Sequence, residues 1–336
     1  MHDFEISPID SAELPALREL LSRVPCKPLD FWEAADPARQ NSYWFEDIET
    51  SLLDPDCAAL AARSGGSIVA LLIWGQQAWE SRVIGRKFAV IKHLAVIPEA
   101  PRDIGAALVA RMCNDALARG VECVTAKMHT METSAIHSVE RNGFRLMDTV
   151  LDFTFDYRRM PFDQVRPPPM AEGVQIGLAT ADDADGLIEV AGKAFGGHFG
   201  RFHADERIGR DIAKTVYEEW MRSSLNGWVD IVVVCKCDGK VAGYSMWKKP
   251  SAKESGNGFH LGHYSIAGVH PDYFGRGLFS ALTYEGMRRL PEHGRVDRIE
   301  GPTHVNNYPV QRGYLKLGWR ITGARHTFHR WLEDQA

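Results

Sequence analysis

Two glycines and an arginine stand between an apolar strand and a helix in the second half of the 336-residue chain, within LGHYSIAGVHPDYFGRGLFSAL, Leu261 to Leu282. The strand must stop at Pro271, the turn contains Gly275, Arg276 and Gly277, and apolar residues then recur with helical spacing. The first N–H groups of a helix have no partner, and the helix dipole adds about half a positive charge there. This turn therefore suits a phosphate or diphosphate, which glycines allow to approach closely.

The same stretch resembles the acetyl-CoA signature of the GCN5-related N-acetyltransferases (GNATs), V-x-P followed by Q/R-x-x-G-x-G/A. Val269 and Pro271 match its first part, and Gly277 matches the central glycine. Phe274 stands where Arg or Gln is usual, and Phe279 where Gly or Ala is usual. We therefore expect backbone N–H groups to do most of the anion binding, and Phe279 to crowd the start of the helix.

The second half of the family pattern follows downstream. NNYPVQRGYLKLGW, Asn306 to Trp319, resembles N-x-x-A-x-x-x-Y-x-K-x-G-F, with Asn307, Tyr314 and Lys316 in register. Acetyl transfer from a thioester to an amine needs a proton for the leaving thiolate, and a phenol with a pKa of about 10 can supply it. The resemblance assigns that role to Tyr314. The alternative is a tyrosine that only packs on an amphipathic helix.

The resemblance implies acetyl-CoA as the cofactor. Backbone amides of Ala267, Gly268 and Val269 would line the pantetheine arm and polarise the thioester carbonyl. Asn307 would hold the cofactor or the turn, or would only cap its helix. The residues expected at the diphosphate are Phe274, Gly275, Arg276, Gly277, Leu278 and Phe279.

Two histidines are candidates for the base that deprotonates the acceptor. His263 lies on the V-x-P strand, and His304 directly precedes Asn306. A histidine with a pKa near 6.5 can take a proton from an ammonium group directly or through water. Each is alternatively an ordinary polar residue of its strand.

An internal repeat organises the whole chain. Gly66 and Gly239, and likewise Trp74 and Trp247, are 173 residues apart. Each copy reads as a strand and helices, a β-hairpin, the V-x-P strand with its helix, another strand, a short helix and a terminal pair of strands. The predicted fold class is α/β: two tandem GNAT folds, each a mixed, mostly antiparallel sheet flanked by helices.

Three consecutive prolines, Pro167 to Pro169, favour an extended connector between the copies. The predicted domains are therefore 1–160, a Pro-rich linker at 161–173, and 174–336.

The first copy departs from the family pattern. Its LAVIPEAPRDIGAALVARM segment permits two alignments: Arg102 and Gly105 satisfy the signature formally, whereas the apolar register of the helix puts Asp103 at the central glycine. We prefer the second alignment, because the order of Ile104 to Leu108, IGAAL, matches an intact helix start better. An aspartate at the central position would repel a diphosphate, and Val139 stands where the tyrosine that acts as general acid is expected. The first copy is predicted to be structural, or to bind a ligand without catalysis, and the second copy to be catalytic.

The acceptor is expected to lie against the segment before the second hairpin. Here Arg201-Phe202-His203-Ala204, Tyr217 to Trp220 and Gly227 to Asp230 resemble segments of the dTDP-4-amino-4,6-dideoxygalactose (dTDP-fucosamine) N-acetyltransferases. That resemblance implies substrate contacts by His198, Arg201 and His203 with a nucleotide-linked amino sugar. Enzymes resembling mycothiol synthase, which acetylate another small amine, are the alternative.

Composition narrows the class of protein. A net charge of -5 without a basic block argues against nucleic-acid binding, and six cysteines lack a C-x-x-C spacing, so no metal is expected. No signal-type start and no run of about 18 apolar residues are present, so we expect a cytoplasmic protein that does not bind membranes.

Three functions are therefore considered. The first is acetyl-CoA-dependent N-acetylation of a small-molecule primary amine, by a monomer or a homodimer. The second is a non-catalytic module that binds an acyl-CoA, which the two departures at Phe274 and Phe279 keep open. The third is a purely architectural role.

Overall fold

The computed structural model describes residues 4–9, 11–30, 35–197 and 199–334. The chain forms two compact units, one made of residues 1–148 with 324–336 and the other of residues 149–323. Each unit is a mixed, mostly antiparallel sheet with helices packed on it, which confirms the predicted α/β class. Among the helices described, none combines the length and apolarity needed to cross a bilayer.

The elements of the first copy, in chain order, are β1 (Glu5–Pro8), α1 (Leu14–Arg23), α2 (Pro37–Leu53), β2 (Cys57–Ser64), β3 (Ser67–Gln76), α3 (Ala78–Ile84), β4 (Phe88–Val96), α4 (Ile104–Ala118), β5 (Cys123–His129), α5 (Thr133–Arg141) and β6 (Arg145–Asp156). Those of the second copy are β7 (Val174–Leu178), α6 (Ala184–Ala194), α7 (Arg201–Ala204), α8 (Arg210–Ser223), β8 (Ile231–Cys237), β9 (Lys240–Lys248), α9 (Ala252–Gly256), β10 (Leu261–Val269), α10 (Leu278–Arg289), β11 (Arg298–His304), α11 (Tyr308–Lys316) and β12 (Arg320–Trp331).

The predicted repeat is present in the structure. The β2–β3 hairpin turns at Gly65-Gly66 and the β8–β9 hairpin at Asp238-Gly239, and all four residues have positive φ, as a two-residue type I′ turn requires. Trp74 on β3 and Trp247 on β9 are both fully buried. The hairpin could be predicted because its turn chemistry is local to the sequence.

The last strand of each copy does not pair within its own copy. In the first unit the strand order is β1-β2-β3-β4-β5, followed by the end of β12, which pairs with β5 from Arg325 to Trp331. In the second unit the order is β7-β8-β9-β10-β11, followed by the end of β6, which pairs with β11 from Val150 to Asp156. Each copy ends in one long strand, so the prediction of a terminal pair of strands was wrong.

These pairings correct the sequence-based division at 160 and 174. The second unit begins at Thr149 and ends at Gly323, because inter-strand hydrogen bonds tie the end of each copy to the sheet built mainly by the other. Strand partners far apart in sequence leave no local signal, so the exchange could not be predicted from the repeat.

Helices cover both faces of the second unit's sheet. On one face, Leu282 and Met287 of α10 and Tyr314 of α11 pack with Trp247 and Tyr264. On the other face, Leu187 and Val190 of α6 and Met221 of α8 pack with Tyr244 and Met246. Successive residues of β9 point alternately to the two faces, as a strand buried on both sides requires.

The only parallel neighbours of the second sheet, among the strands described, are β10 and β11. Their register covers three pairs, Leu261 with Arg298, Gly262 with Ile299 and His263 with Glu300, although β10 continues to Val269. β10 also carries an irregularity between Tyr264 and Ile266 in its pairing with β9. The two strands therefore separate beyond His263, and one edge of β10 is left without a neighbouring strand.

Candidate active site

The predicted anion-binding turn lies directly before α10. Gly275 and Gly277 have φ of 80° and 75°, and Gly277 is the N-cap of the helix without any side-chain cap hydrogen bond. A Cβ at either glycine would meet nothing within 4 Å, so the space over the turn is open. The first helical bond after the turn runs from the Ala281 N–H to the Gly277 carbonyl, so the N–H groups of 278–280 point to this open space.

Phe279 does not obstruct the turn. Its ring lies against Gly313 of α11, where a Cβ would stand 2.7 Å from two of its ring atoms, and it meets Tyr314 edge to face at 5.4 Å. The expectation that Phe279 crowds the helix start is therefore corrected. A glycine on the facing helix provides the space that the family's small residue at position 279 would otherwise provide.

The unpaired edge of β10 carries the backbone predicted for the pantetheine arm. Ala267, Gly268 and Val269 pair with β9 on one side, and β11 has already separated on the other. Because backbone groups of a strand point alternately to its two sides, some of these amides face the gap between β10 and β11. A Cβ at Gly268 would lie 2.8 Å from Tyr244 and 3.0 Å from Ala194, so glycine is required where the end of α6 meets β10.

Tyr314 lies under this gap with its ring buried. It contacts the rings of Phe153, Tyr264, Phe279 and Trp319 at centroid distances of 4.6–5.8 Å. A Cβ at Gly301 on β11 would stand 2.7 Å from the phenol oxygen. Burial, and then the neighbouring Tyr264, raise the pKa of Tyr314 well above its usual value.

His263 forms a cluster with two carboxylates. Its Nε2 lies 2.8 Å from Oε1 of Glu254, and its Nδ1 lies 2.9 Å from Oε1 of Glu300. Burial alone lowers the pKa of His263, but the hydrogen bonds and charges of the two carboxylates outweigh it and raise that pKa to about 10. The imidazole is therefore protonated at neutral pH, with both nitrogens acting as donors, which does not suit the predicted role of base.

Glu254 is held in the cluster by local structure. Ser251 and Glu254 form a capping box at the start of α9, in which the second carboxylate oxygen of Glu254 accepts from the Ser251 N–H at 2.7 Å. Burial raises the pKa of Glu254, and the hydrogen bonds with His263 and Ser251 lower it by more. Two negative charges and one positive charge therefore lie beside the point where β10 and β11 separate.

His304, the other candidate base, lies at the end of β11 and is 8% exposed. Its Nδ1 accepts the backbone N–H of Asn306 at 3.0 Å. In a neutral ring the proton is then on Nε2, so neither nitrogen offers an unused lone pair. Asn307 is the N-cap residue of α11, but its side chain makes no cap hydrogen bond.

The segment predicted to contact the acceptor follows α6. Phe199 is 63% exposed, and its ring lies 6.0 Å from that of His304, so this segment reaches the end of β11. The guanidinium of Arg201 lies over the ring of Phe202 at 4.1 Å, and His203 stacks on Tyr217 at 5.8 Å. Burial and then Arg210 lower the pKa of His203. His198 lies outside the described residues.

The first copy lacks the corresponding groups. Asp103 is the N-cap residue of α4, as Gly277 is of α10, which agrees with the alignment that puts an aspartate at the central glycine. Val139 is fully buried on α5. The first unit therefore has neither the open glycine turn nor a phenol at this position.

Sequence reasoning missed Glu254, Glu300 and Gly301. The two glutamates are functional candidates only because they lie close to His263 in the folded chain. Gly301 is a candidate only because the phenol of Tyr314 lies against it. An acidic residue three positions after Ser251 is a signal of helix capping, which predicts local structure but no contact with His263.

The chain is similar in sequence to known acetyltransferases. Residues 201–319 match the family model described as "Acetyltransferase (GNAT) family". The spore coat polysaccharide biosynthesis protein SpsD of Bacillus subtilis is 20% identical over 273 residues, which cover 79% of this chain and 85% of that protein. The mycothiol acetyltransferase of Clavibacter michiganensis is 28% identical over 163 residues, and the match spans about half of each chain, 48% and 47%.

Solved structures share the complete fold. A tandem GNAT protein from the clavulanic acid biosynthesis pathway aligns over 98% of this chain and 99% of its own, with a TM-score of 0.61 and 16% identity. A GCN5-related N-acetyltransferase from Sphaerobacter thermophilus aligns over 98% and 96%, with a TM-score of 0.64 and 16% identity. The chain as a whole shares the fold of tandem GNAT proteins, and its residues 201–319 match the GNAT family model. It is an N-acetyltransferase, and its cofactor is acetyl-CoA.

Proposed function

We propose that the second unit transfers an acetyl group from acetyl-CoA directly to the primary amine of a small molecule, with Tyr314 as general acid. The observation that carries this proposal is the position of the phenol oxygen. It lies against Gly301, next to the point where β10 and β11 separate, on the sheet face that also carries α10. A proton on that oxygen is close to the gap through which a thioester would extend.

The residues of the turn and of β10 fit the cofactor. The N–H groups of 278–280, with the exposed Arg276 beside them, are suited to a diphosphate. The unpaired edge of β10 at Ala267 to Val269 is suited to the amides of a pantetheine arm. Bound in this way, acetyl-CoA supplies the acetyl thioester.

Tyr314 would deliver the proton to the leaving sulfur. Burial and Tyr264 raise the pKa of Tyr314, so its hydroxyl stays protonated over the neutral range, as a general acid requires. Backbone N–H groups at the gap would stabilise the oxyanion that forms on the carbonyl.

Solvent water is the proposed base that takes the proton from the acceptor amine. Both nitrogens of His263 are engaged by carboxylates, and Nδ1 of His304 by a backbone N–H. We infer that the cluster of Glu254, His263 and Glu300 provides negative charge that attracts the cationic amine to this region, and that the amine then loses its proton to solvent water before it attacks the thioester.

An amino sugar, either free or carried on a nucleotide, is the proposed acceptor class. SpsD, the relative covered over 85% of its length, is named for polysaccharide biosynthesis. The exposed ring of Phe199 offers a surface for the apolar face of a sugar, and Arg201 at the start of α7 offers charge for a diphosphate. A different small amine, as the mycothiol acetyltransferase relatives suggest, is the second candidate.

A thiol-release assay with acetyl-CoA tests the proposal, with nucleotide amino sugars, free amino sugars and amino acids as acceptors and mass spectrometry of the products. Tyr314→Phe should lower kcat by about 10²- to 10⁴-fold and keep the stability of the fold, because the ring contacts remain. Tyr157→Phe is the matched control: this partly buried phenol donates to the Met287 carbonyl of α10 and has no role in the proposed reaction.

Normal turnover by Tyr314→Phe would contradict the role of the phenol. Calorimetric binding of acetyl-CoA, without turnover of any amine, would favour the module that binds acyl-CoA and does not transfer the acyl group.

A further inference from the structure

A cavity of about 500 Å³ opens in the first unit, where β4 ends and α5 passes. Two prolines and three aliphatic side chains contribute to its lining: Val96, Ile97, Pro98, Ala100 and Pro101. The polar lining residues are Arg102, Ser134, His137, Ser138 and Arg141. Its volume falls within the range of small-molecule sites, about 300–1,000 Å³.

One cation of this cavity is uncompensated. Nη1 of Arg141 lies 2.6 Å from Oδ1 of Asp103, so that pair is neutral as a whole. Arg102 is exposed and forms no ion pair with any residue that the structure describes. The cavity therefore has net positive charge from a single guanidinium, next to apolar walls.

Hydroxyl and backbone donors stand beside that charge. Ser134 lies in the first turn of α5, whose N-cap residue Glu132 makes no side-chain cap hydrogen bond. Ser138 donates to the Ser134 carbonyl at 2.7 Å and is buried against Gly105 of α4. The hydroxyl of Ser134 lines the same cavity, so it can donate a hydrogen bond to an anion that Arg102 binds.

The diphosphate of coenzyme A does not fit this arrangement. Asp103 occupies the place that Gly277 has in the second unit, so a side chain paired with Arg141 stands where the second unit has open space. The N–H of Ile104 is already bonded to the Pro101 carbonyl at 3.0 Å, which removes one donor of the helix start. A ligand with a single anionic group avoids both conflicts.

We propose that this cavity binds a small organic anion, a carboxylate or a phosphate monoester with an apolar body, and that it is not a second coenzyme A site. The anionic group pairs with Arg102 and Ser134, and the apolar body lies on the wall formed by Val96 to Pro98, Ala100 and Pro101. The inference concerns the first unit alone and does not depend on the reaction proposed for the second.

The full chain is titrated calorimetrically with 4-bromobenzoate and with 4-bromophenyl phosphate, and crystals are soaked with each to locate bromine by anomalous scattering. We expect one equivalent of at least one probe in the cavity. Arg102→Gln should weaken the binding of that probe about 10- to 100-fold, which is the effect of losing a charge-assisted hydrogen bond. Ser134→Phe, which puts a large side chain into the lining, should abolish the binding. Arg82→Gln, at an exposed arginine of α3, should not change the binding.

The two probes decide which anion is preferred, and binding of either supports the site. The proposal is overturned when neither probe binds, when Arg102→Gln binds as tightly as the natural chain, or when crystals grown with coenzyme A show that molecule in the cavity. Circular dichroism and thermal unfolding of each variant separate lost binding from lost folding.

Discussion

The phenol oxygen of Tyr314 lies so close to Gly301 that a Cβ at position 301 would stand 2.7 Å from it. The same Cβ would meet Trp319 and the Cβ of Tyr264 at 3.2 Å each. Glycine on β11 therefore allows the α11 tyrosine to approach the strand. The proposed acid, Tyr314, is therefore packed directly against β11, the strand that borders the gap.

Gly301→Ala is expected to lower kcat at least 10-fold, because the methyl group displaces the phenol from the gap. Overpacking should also lower the free energy of unfolding by about 1–3 kcal/mol. KM for acetyl-CoA should change little, since the anion-binding turn lies elsewhere. Steady-state kinetics and urea unfolding measure both effects.

Gly177→Ala on β7 is the control for that substitution, because a Cβ there meets nothing within 4 Å. A Gly301→Ala enzyme with unchanged kcat would show that the position of the phenol does not matter for the reaction.

Phe279 and Gly313 are expected to be energetically coupled. Gly313→Ala alone should destabilise the chain by about 1–3 kcal/mol, because its methyl group enters the ring of Phe279. In a background of Phe279→Ala the same substitution should cost much less, since the space is then free. Urea unfolding of the four proteins of this cycle gives the coupling free energy. Strict additivity would contradict the packing described.

His263 is expected to make stability depend on pH above neutrality. Its pKa in the folded chain, about 10, is raised above the usual 6.5. The stabilisation from this group is therefore fully present below pH 6.5 and is lost as pH rises through 10. The pKa of Glu254 is lowered, so its contribution is instead lost in acid, below about pH 4.5.

The measurement is the free energy of unfolding in urea at several pH values from 6 to 10. His263→Gln should flatten the decline seen in the natural chain, whereas His293→Gln, at an exposed site, should not. A natural chain whose stability is constant over this range would argue against the carboxylate–imidazolium cluster.

Asp156 is expected to hold the exchanged strand β6 in the second unit. Its Oδ2 accepts from Nε of Arg298 at 2.8 Å, and Arg298 is 4% exposed. Asp156→Ala should cost about 3–5 kcal/mol, because the buried guanidinium loses the carboxylate that accepts from its Nε. Thermal and urea unfolding measure this loss.

Glu189→Ala breaks the exposed pair with Lys193 and serves as the control, for which little change is expected. Equal effects of the two substitutions would mean that the buried pair contributes no more than a surface pair.

The amino-acid sequence by itself determined the repeat, the hairpins and the turn before α10. These features are local: Gly65-Gly66 and Asp238-Gly239 encode their turns, and Val269, Pro271 and Gly277 lie within nine residues of one another. Local turn chemistry and hydrophobic periodicity are enough to predict these features.

Only the tertiary structure decided where the last strands pair and what surrounds His263. Glu254, His263 and Glu300 come from a helix cap and two strands, and the sequence offers no reason to bring them together. Their contact depends on the parallel register of β10 and β11, as the exchange of β6 and β12 depends on hydrogen bonds between distant segments. Pairing at long range is fixed by the energy of the whole sheet, which no short stretch of sequence contains.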